Sequence, residues 1–197
     1  MKENNKAIAL AMAAVLSWST VATAFKIALT HLTHFEMLLV ASITSLIIFT
    51  IVLTIQRKWG EVKALSRKMW GYFALLGLLN PVAYYLVLFK SYDLLPAQIA
   101  QPVNYMWPVL LVILLAIFTK QPIPGKKYIG MLISLGGLII ISAGGKQGGS
   151  MDIPPFGLAL GIMSAFLWAI YWMVNNKNME RADATVACFM SFLFGSI

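Results

Sequence analysis

The chain has 197 residues, of which 60% are apolar and only 11% charged, with a formal net charge of +8 and a mean hydropathy of +0.81. A soluble domain carries about 25% charged residues to cover its surface, so a water-soluble globule is excluded. Apolar runs of about 20 residues, the length that crosses a bilayer core, recur along the whole chain and describe an all-α, polytopic membrane helix bundle.

The first span is expected over 7–28, behind Lys2 and Lys6. Ala22-Thr23-Ala24 resembles a signal-peptide cleavage site, although an internal repeat described below favours an uncleaved span. Trp18 falls near the middle of this span, where an indole N–H needs a partner. Lys26, near the outer end, either snorkels to the surface or faces an outer vestibule and attracts anionic groups. The loop "THLTHF" follows. Its His31 and His34, with Glu36, are three ligand types in a short loop, which loop polarity explains without a metal. Glu36 opens the second span, 36–55, where a helix N-terminus favours negative charge.

After the basic loop 57–69, the third span covers 70–90. It contains Asn80-Pro81, a kink, with Tyr84 on the same helical face and Tyr85 beside it. Lys90 and Asp93, three residues apart, form a local ion pair. The fourth span, 95–118, contains "AQIAQPVNYMWPVLL" (97–111), with amides and prolines where lipid-facing residues would be ordinary. At about 100° per residue, Gln98, Gln101, Asn104, Tyr105 and Pro108 share one arc of about 120°, opposite Ile99, Val103 and Met106. Pro102 and Pro108 each remove a backbone donor and free carbonyls near residues 98 and 104. Such a stripe either lines a substrate pathway or glues helices, at about 0.6 kcal/mol per bond. Trp107, like Trp18, lies away from the span ends and either lines a cavity or packs in the core.

A basic loop, 120–127, leads to the fifth span, 127–143, whose Gly136-Gly137 pair suits close helix packing. The connector "GGKQGGSMDIPP" (144–155) precedes the sixth span, 157–175, with Trp168 at mid-depth. A seventh span begins near Ala184, behind Asp183, and the fourteen residues to Ile197 are too few to cross a bilayer; a fragment of a longer protein is expected. Cys188, the single cysteine, excludes an intrachain disulfide and reads as a small apolar helix residue.

Twelve of the fifteen lysines and arginines lie in the N-terminus and the loops 57–69, 120–127 and 175–183. Short basic loops stay in the cytoplasm, which places the N-terminus inside. This dispersal between apolar runs also argues for membrane anchoring over nucleic-acid binding. "AIALAMAAVLSW" (7–18) recurs as "GLALGIMSAFLW" (157–168), with Ala9, Leu10 and Trp18 returning as Ala159, Leu160 and Trp168. Five spans separate the copies, so the second would be inverted, as in carriers that bind solute at the midplane.

"LSWSTVATAFKIAL" (16–29), "LPAQIAQPVNYMWPVLLVILLAIF" (95–118), "KKYIGMLISLGGLIII" (126–141) and "LALGIMSAFLWAIYWM" (158–173) together resemble the EamA-type members of the drug/metabolite transporter superfamily. Trp18 and Lys26 match the family's Trp and Lys eight residues apart, Pro108 its proline in the fourth helix, and Gly130 and Gly137 its fifth-helix glycines. The chain departs from the family at Ser19, where Gly is usual, at Gln121, where an acid is usual, and at Ala41 or Ser42, where an arginine is usual. The resemblance implies inverted five-span repeats with the second incomplete here: 1–145 as the first, 146–156 as an extracytoplasmic connector, and 157–197 as the start of the second. It implies a secondary carrier in the cell membrane exporting a small organic metabolite or drug-like solute.

The residues expected to bind that solute are Trp18, Lys26, Asn80, Tyr84, Gln98, Gln101, Asn104, Trp107 and Trp168. No Asp or Glu falls near the centre of a span, where a carboxylate costs about 2.5–3.5 kcal/mol and marks a proton relay. No catalytic constellation and no phosphate-cradling loop occurs, so neither an enzyme nor a cofactor is expected. A small-molecule substrate and membrane lipid are the expected partners, and a homodimer is left open. The competing function is a non-transporting membrane scaffold or assembly subunit whose polar groups only join helices.

Overall fold

The structure, a computed structural model, describes residues 2–120, 122–144, 153–176 and 182–197. Gln121, Gly145, Lys146, Lys177, Arg181 and most of the 146–156 connector lie outside the described residues. The chain is an all-α, polytopic membrane helix bundle. Among the described residues, five helices are long and apolar enough to cross a membrane: Asn5–Leu29, His34–Ile55, Arg67–Leu94, Ala97–Thr119 and Pro155–Asn175. The expected fifth span is also a helix, of 20 residues.

Helix α1 (Lys2–Leu29) and helix α2 (His34–Ile55) are joined by a tight turn. Thr33 and Glu36 close a capping box there. The Glu36 carboxylate accepts from the Thr33 backbone N–H at 2.8 Å, and the Thr33 hydroxyl accepts from Glu36 N–H at 3.3 Å. Such reciprocal caps satisfy two amides that the helix start would leave open. The short α3 (Trp59–Ala64) lies in the basic loop, and α4 (Arg67–Gly77) starts behind a Ser66 cap. His34 and Glu36 do not converge with His31 on a metal: Glu36 caps α2, and His34 Nε2 stands 3.6 Å from Asp93.

The third span is interrupted. A π-type segment, Leu78–Ala83, separates α4 from α5 (Tyr84–Leu94), and Asn80 within it has extended backbone (φ −146°, ψ 116°). Pro81 cannot donate to the ladder, so the break falls at the expected kink. The fourth span is interrupted too, into α6 (Ala97–Asn104) and α7 (Trp107–Thr119), with Tyr105 and Met106 turning between them. This corrects the single stripe expected over 98–108. Pro108 sits in the first turn of a new helix, where a missing N–H removes no intrahelical bond, so only Pro102 lies inside a helix.

Helix α8 (Gly125–Gly144) packs on α6, and α9 (Pro155–Asn176) packs against α5, α6 and α7. Gly157 and Gly161 allow that close approach: a methyl on Gly161 would meet Val103 Cγ1 at 2.9 Å. Helix α10 (Ala184–Gly195) packs on α2 and α4. Two apolar clusters result, one around Phe89, Tyr92 and Ile99 and one around Leu53, Phe73 and Met190. Near the second cluster, the Lys58 ammonium pairs with Asp183, and the Thr185 hydroxyl donates to Gln56 Oε1 at 3.1 Å. Asp183 also caps α10 by accepting from Thr185 N–H at 2.9 Å. The Lys58 ammonium holds the Asp183 carboxyl below its ordinary value.

Candidate functional site

A cavity of about 180 Å³ opens between α1, α5, α6, α7 and α9. From α1 come Trp18, Val21 and Phe25; from α5, Tyr84, Tyr85, Leu88 and Tyr92; from α6, Gln101 and Asn104. Tyr105 in the turn, Trp107 at the start of α7 and Trp168 on α9 complete the wall. The positions on α5 follow helical spacing: residues 84, 88 and 92 stand one above another. The α6–α7 break matters locally, because it turns Trp107 toward Trp168, with ring centroids 6.4 Å apart and planes at 80°. Tyr84 lies closer to Trp168, at 4.5 Å.

Two amides carry the polarity. The Asn104 Nδ2 donates to the Tyr84 hydroxyl at 3.1 Å, and Asn104 Oδ1 accepts from the Ser164 hydroxyl at 3.0 Å. The Ser164 hydrogen is shared with Gly161 O, 2.7 Å away. Asn104 is buried and so joins α5, α6 and α9 through internal partners. Gln101 is more open; its Nε2 donates to the Trp18 carbonyl at 3.2 Å and to the Tyr105 hydroxyl at 2.9 Å. No residue lining the cavity carries a formal charge. The wall is aromatic and hydrogen-bonding, and electrically neutral.

Trp18, Tyr84, Gln101, Asn104, Trp107 and Trp168 therefore share one space, whereas Lys26, Asn80 and Gln98 do not line it. Gln98, about one turn nearer the start of α6, is exposed and lies outside the wall. Asn80 is buried in the kink, where its Oδ1 has no hydrogen-bond partner among the described residues. The Lys26 ammonium donates to the carbonyls of Tyr92 at 2.6 Å and Leu95 at 2.8 Å. It thus satisfies the open carbonyls at the end of α5 and ties α1 to it. Ser164 was not anticipated from sequence; a lone hydroxyl within an apolar span, one turn before Trp168, is its only signal. Among the described residues no group of three or more His, Cys, Asp or Glu side chains gathers as a metal site would.

Residues 5–143 match the EamA-like transporter family. Among curated proteins, an uncharacterized transporter of Bacillus subtilis (strain 168), YvbV, is 24% identical over 131 residues, covering 66% of this chain and 42% of that protein. An uncharacterized transporter of Clostridium kluyveri is 30% identical over 82 residues, covering 40% of this chain and 26% of its own. The chain thus matches less than half the length of either relative. No solved structure matches it.

Proposed function

This chain belongs to the EamA-like transporter family, and from that premise we propose that it forms part of a secondary carrier exporting a small organic metabolite or drug-like solute across the cell membrane. The observation that carries this reading is the neutral aromatic cavity on which Trp18, Tyr84, Gln101, Asn104, Trp107 and Trp168 converge. Its volume of about 180 Å³ is below the roughly 300–1,000 Å³ of drug-sized pockets, which favours a solute of about one ring. Stacking on the indoles supplies area, and the amides and hydroxyls supply direction.

Within this reading the two amides differ. Gln101, half-open, exchanges its bonds to Trp18 and Tyr105 for the solute. Asn104, satisfied on both sides, positions Tyr84. The architecture proposed is 1–145 as a first repeat, 146–156 as an outer connector and 157–197 as the start of an inverted second repeat, with the N-terminus in the cytoplasm. The basic loops support that orientation, and solute would bind where the repeats meet.

Transport by the protein in vesicles, followed as counterflow of single-ring metabolites, tests the reading. Gln101→Leu should cut the initial rate about tenfold, as expected for one lost hydrogen bond, while the protein stays folded. Unchanged flux in both Gln101→Leu and Asn104→Leu would remove the cavity from the mechanism. The internal pairing of Asn104 favours the second reading, a scaffold, which predicts lower stability in Asn104→Leu and no solute-dependent flux in the unsubstituted protein.

A further inference from the structure

Helix α8 packs on α6, but two cavities lie between it and α7. One, about 330 Å³, has Met106 and Val109 on one side and Ser134 and Leu135 of α8 on the other. The second, about 320 Å³, is floored by Val112, Leu115, Ala116 and Thr119 and reaches Lys127. Val109, Val112, Ala116 and Thr119 follow three- and four-residue steps, so they form one stripe along α7. From Val109 to Thr119 that stripe rises roughly 15 Å, half of a hydrocarbon core about 30 Å thick. That length equals about one leaflet, and the stripe ends where α7 stops, at Thr119.

The mouth is cationic. Lys127 lines it, Lys126 precedes it in the first turn of α8, and Lys120 follows α7; all three are exposed. Between Asp93 and Asp152 the sequence contains no Asp or Glu, and none of the ion pairs among the described residues uses these lysines. An apolar furrow of leaflet depth beneath unpaired ammonium groups matches one class of molecule. We propose that the α7–α8 furrow binds an anionic phospholipid, with an acyl chain along Val109–Thr119 and the phosphate on Lys127 and Lys126. A second copy of the chain fits poorly, because it would bring the same three cations against this rim.

Native mass spectrometry of the protein recovered from vesicles of equal phosphatidylcholine and phosphatidylglycerol tests this. The protein should retain one phosphatidylglycerol in preference to phosphatidylcholine. The double variant K126Q/K127Q should bind it roughly thirtyfold more weakly. Ala116→Phe, which fills the furrow and leaves the lysines, should lose it as well. Thr119→Trp, at the exposed mouth, serves the same purpose if Ala116→Phe does not fold. Loss in the lysine variant with full retention in both furrow variants would mean surface attraction alone and overturn the proposal. Equal retention of the two lipids, or a dimer mass in place of lipid, would overturn it too.

Discussion

Gly71 and Gly77 lie in the same helix, α4, yet they should answer the same substitution in opposite ways. A methyl on Gly77 would stand 2.6 Å from the Ser191 carbonyl oxygen of α10, and a methyl on Gly71 would meet nothing within 4 Å. A backbone oxygen cannot step aside, so Gly77→Ala should destabilise by about 1–3 kcal/mol, as overpacking does. Gly71→Ala should be neutral or stabilising by up to about 1 kcal/mol, the helix-propensity gain. Thermal unfolding in detergent, followed by tryptophan fluorescence, compares them. Side-chain partners of this kind were only partly legible in the sequence. Gln101 and Asn104 stood out because amides are costly in lipid. Ser164 did not, because a hydroxyl can bond its own helix and needs no distant partner to be tolerated.

Helix lengths could be read closely, since a bilayer sets them, but the interruptions could not. A periodic arc assumes an unbroken helix, and Tyr105–Met106 breaks the one that held the amides. Pro108 consequently parts from Gln101 and Asn104, and Trp107 swings into the cavity; Gln98 stays on α6 with the other amides but is exposed outside the wall. Lys26 was ambiguous for a related reason: its acceptors, Tyr92 O and Leu95 O, lie more than sixty residues away. The pairing of Lys58 with Asp183 at the start of α10 has its own signature in acid. Its carboxyl is held below the ordinary value, so the stabilisation is complete above the unfolded carboxyl's pKa of about 4 and is lost as pH falls through the lower folded value. The gap in melting temperature between the unsubstituted protein and Asp183→Asn should stay constant from about pH 5 to 8 and close below about 4. Asparagine keeps the helix cap, so the comparison isolates the charge.

For the molecule as a whole, composition sufficed to assign a membrane bundle, whereas the inverted relation of its two parts still rests on loop charge and a short repeat. Single cysteines in a Cys188→Ser background, probed with an impermeant thiol reagent, measure that relation. Cysteines replacing Lys63 and Lys120 should react from one side, and a cysteine replacing His31 from the other. Labelling of the first two from opposite sides would dismantle the inversion. The cavity itself draws on distant parts of the chain: Trp18 near the beginning and Trp168 from α9, with Ser164 of α9 bonded to Asn104 behind the wall. A growing chain therefore cannot complete the enclosure until α9 has entered the bilayer. Before then Tyr84 and Trp107 lack the Trp168 ring, and Asn104 lacks its serine. The chamber's assembly thus waits on α9, and a ribosome stalled before Pro155 would leave a set of inserted helices without its far wall.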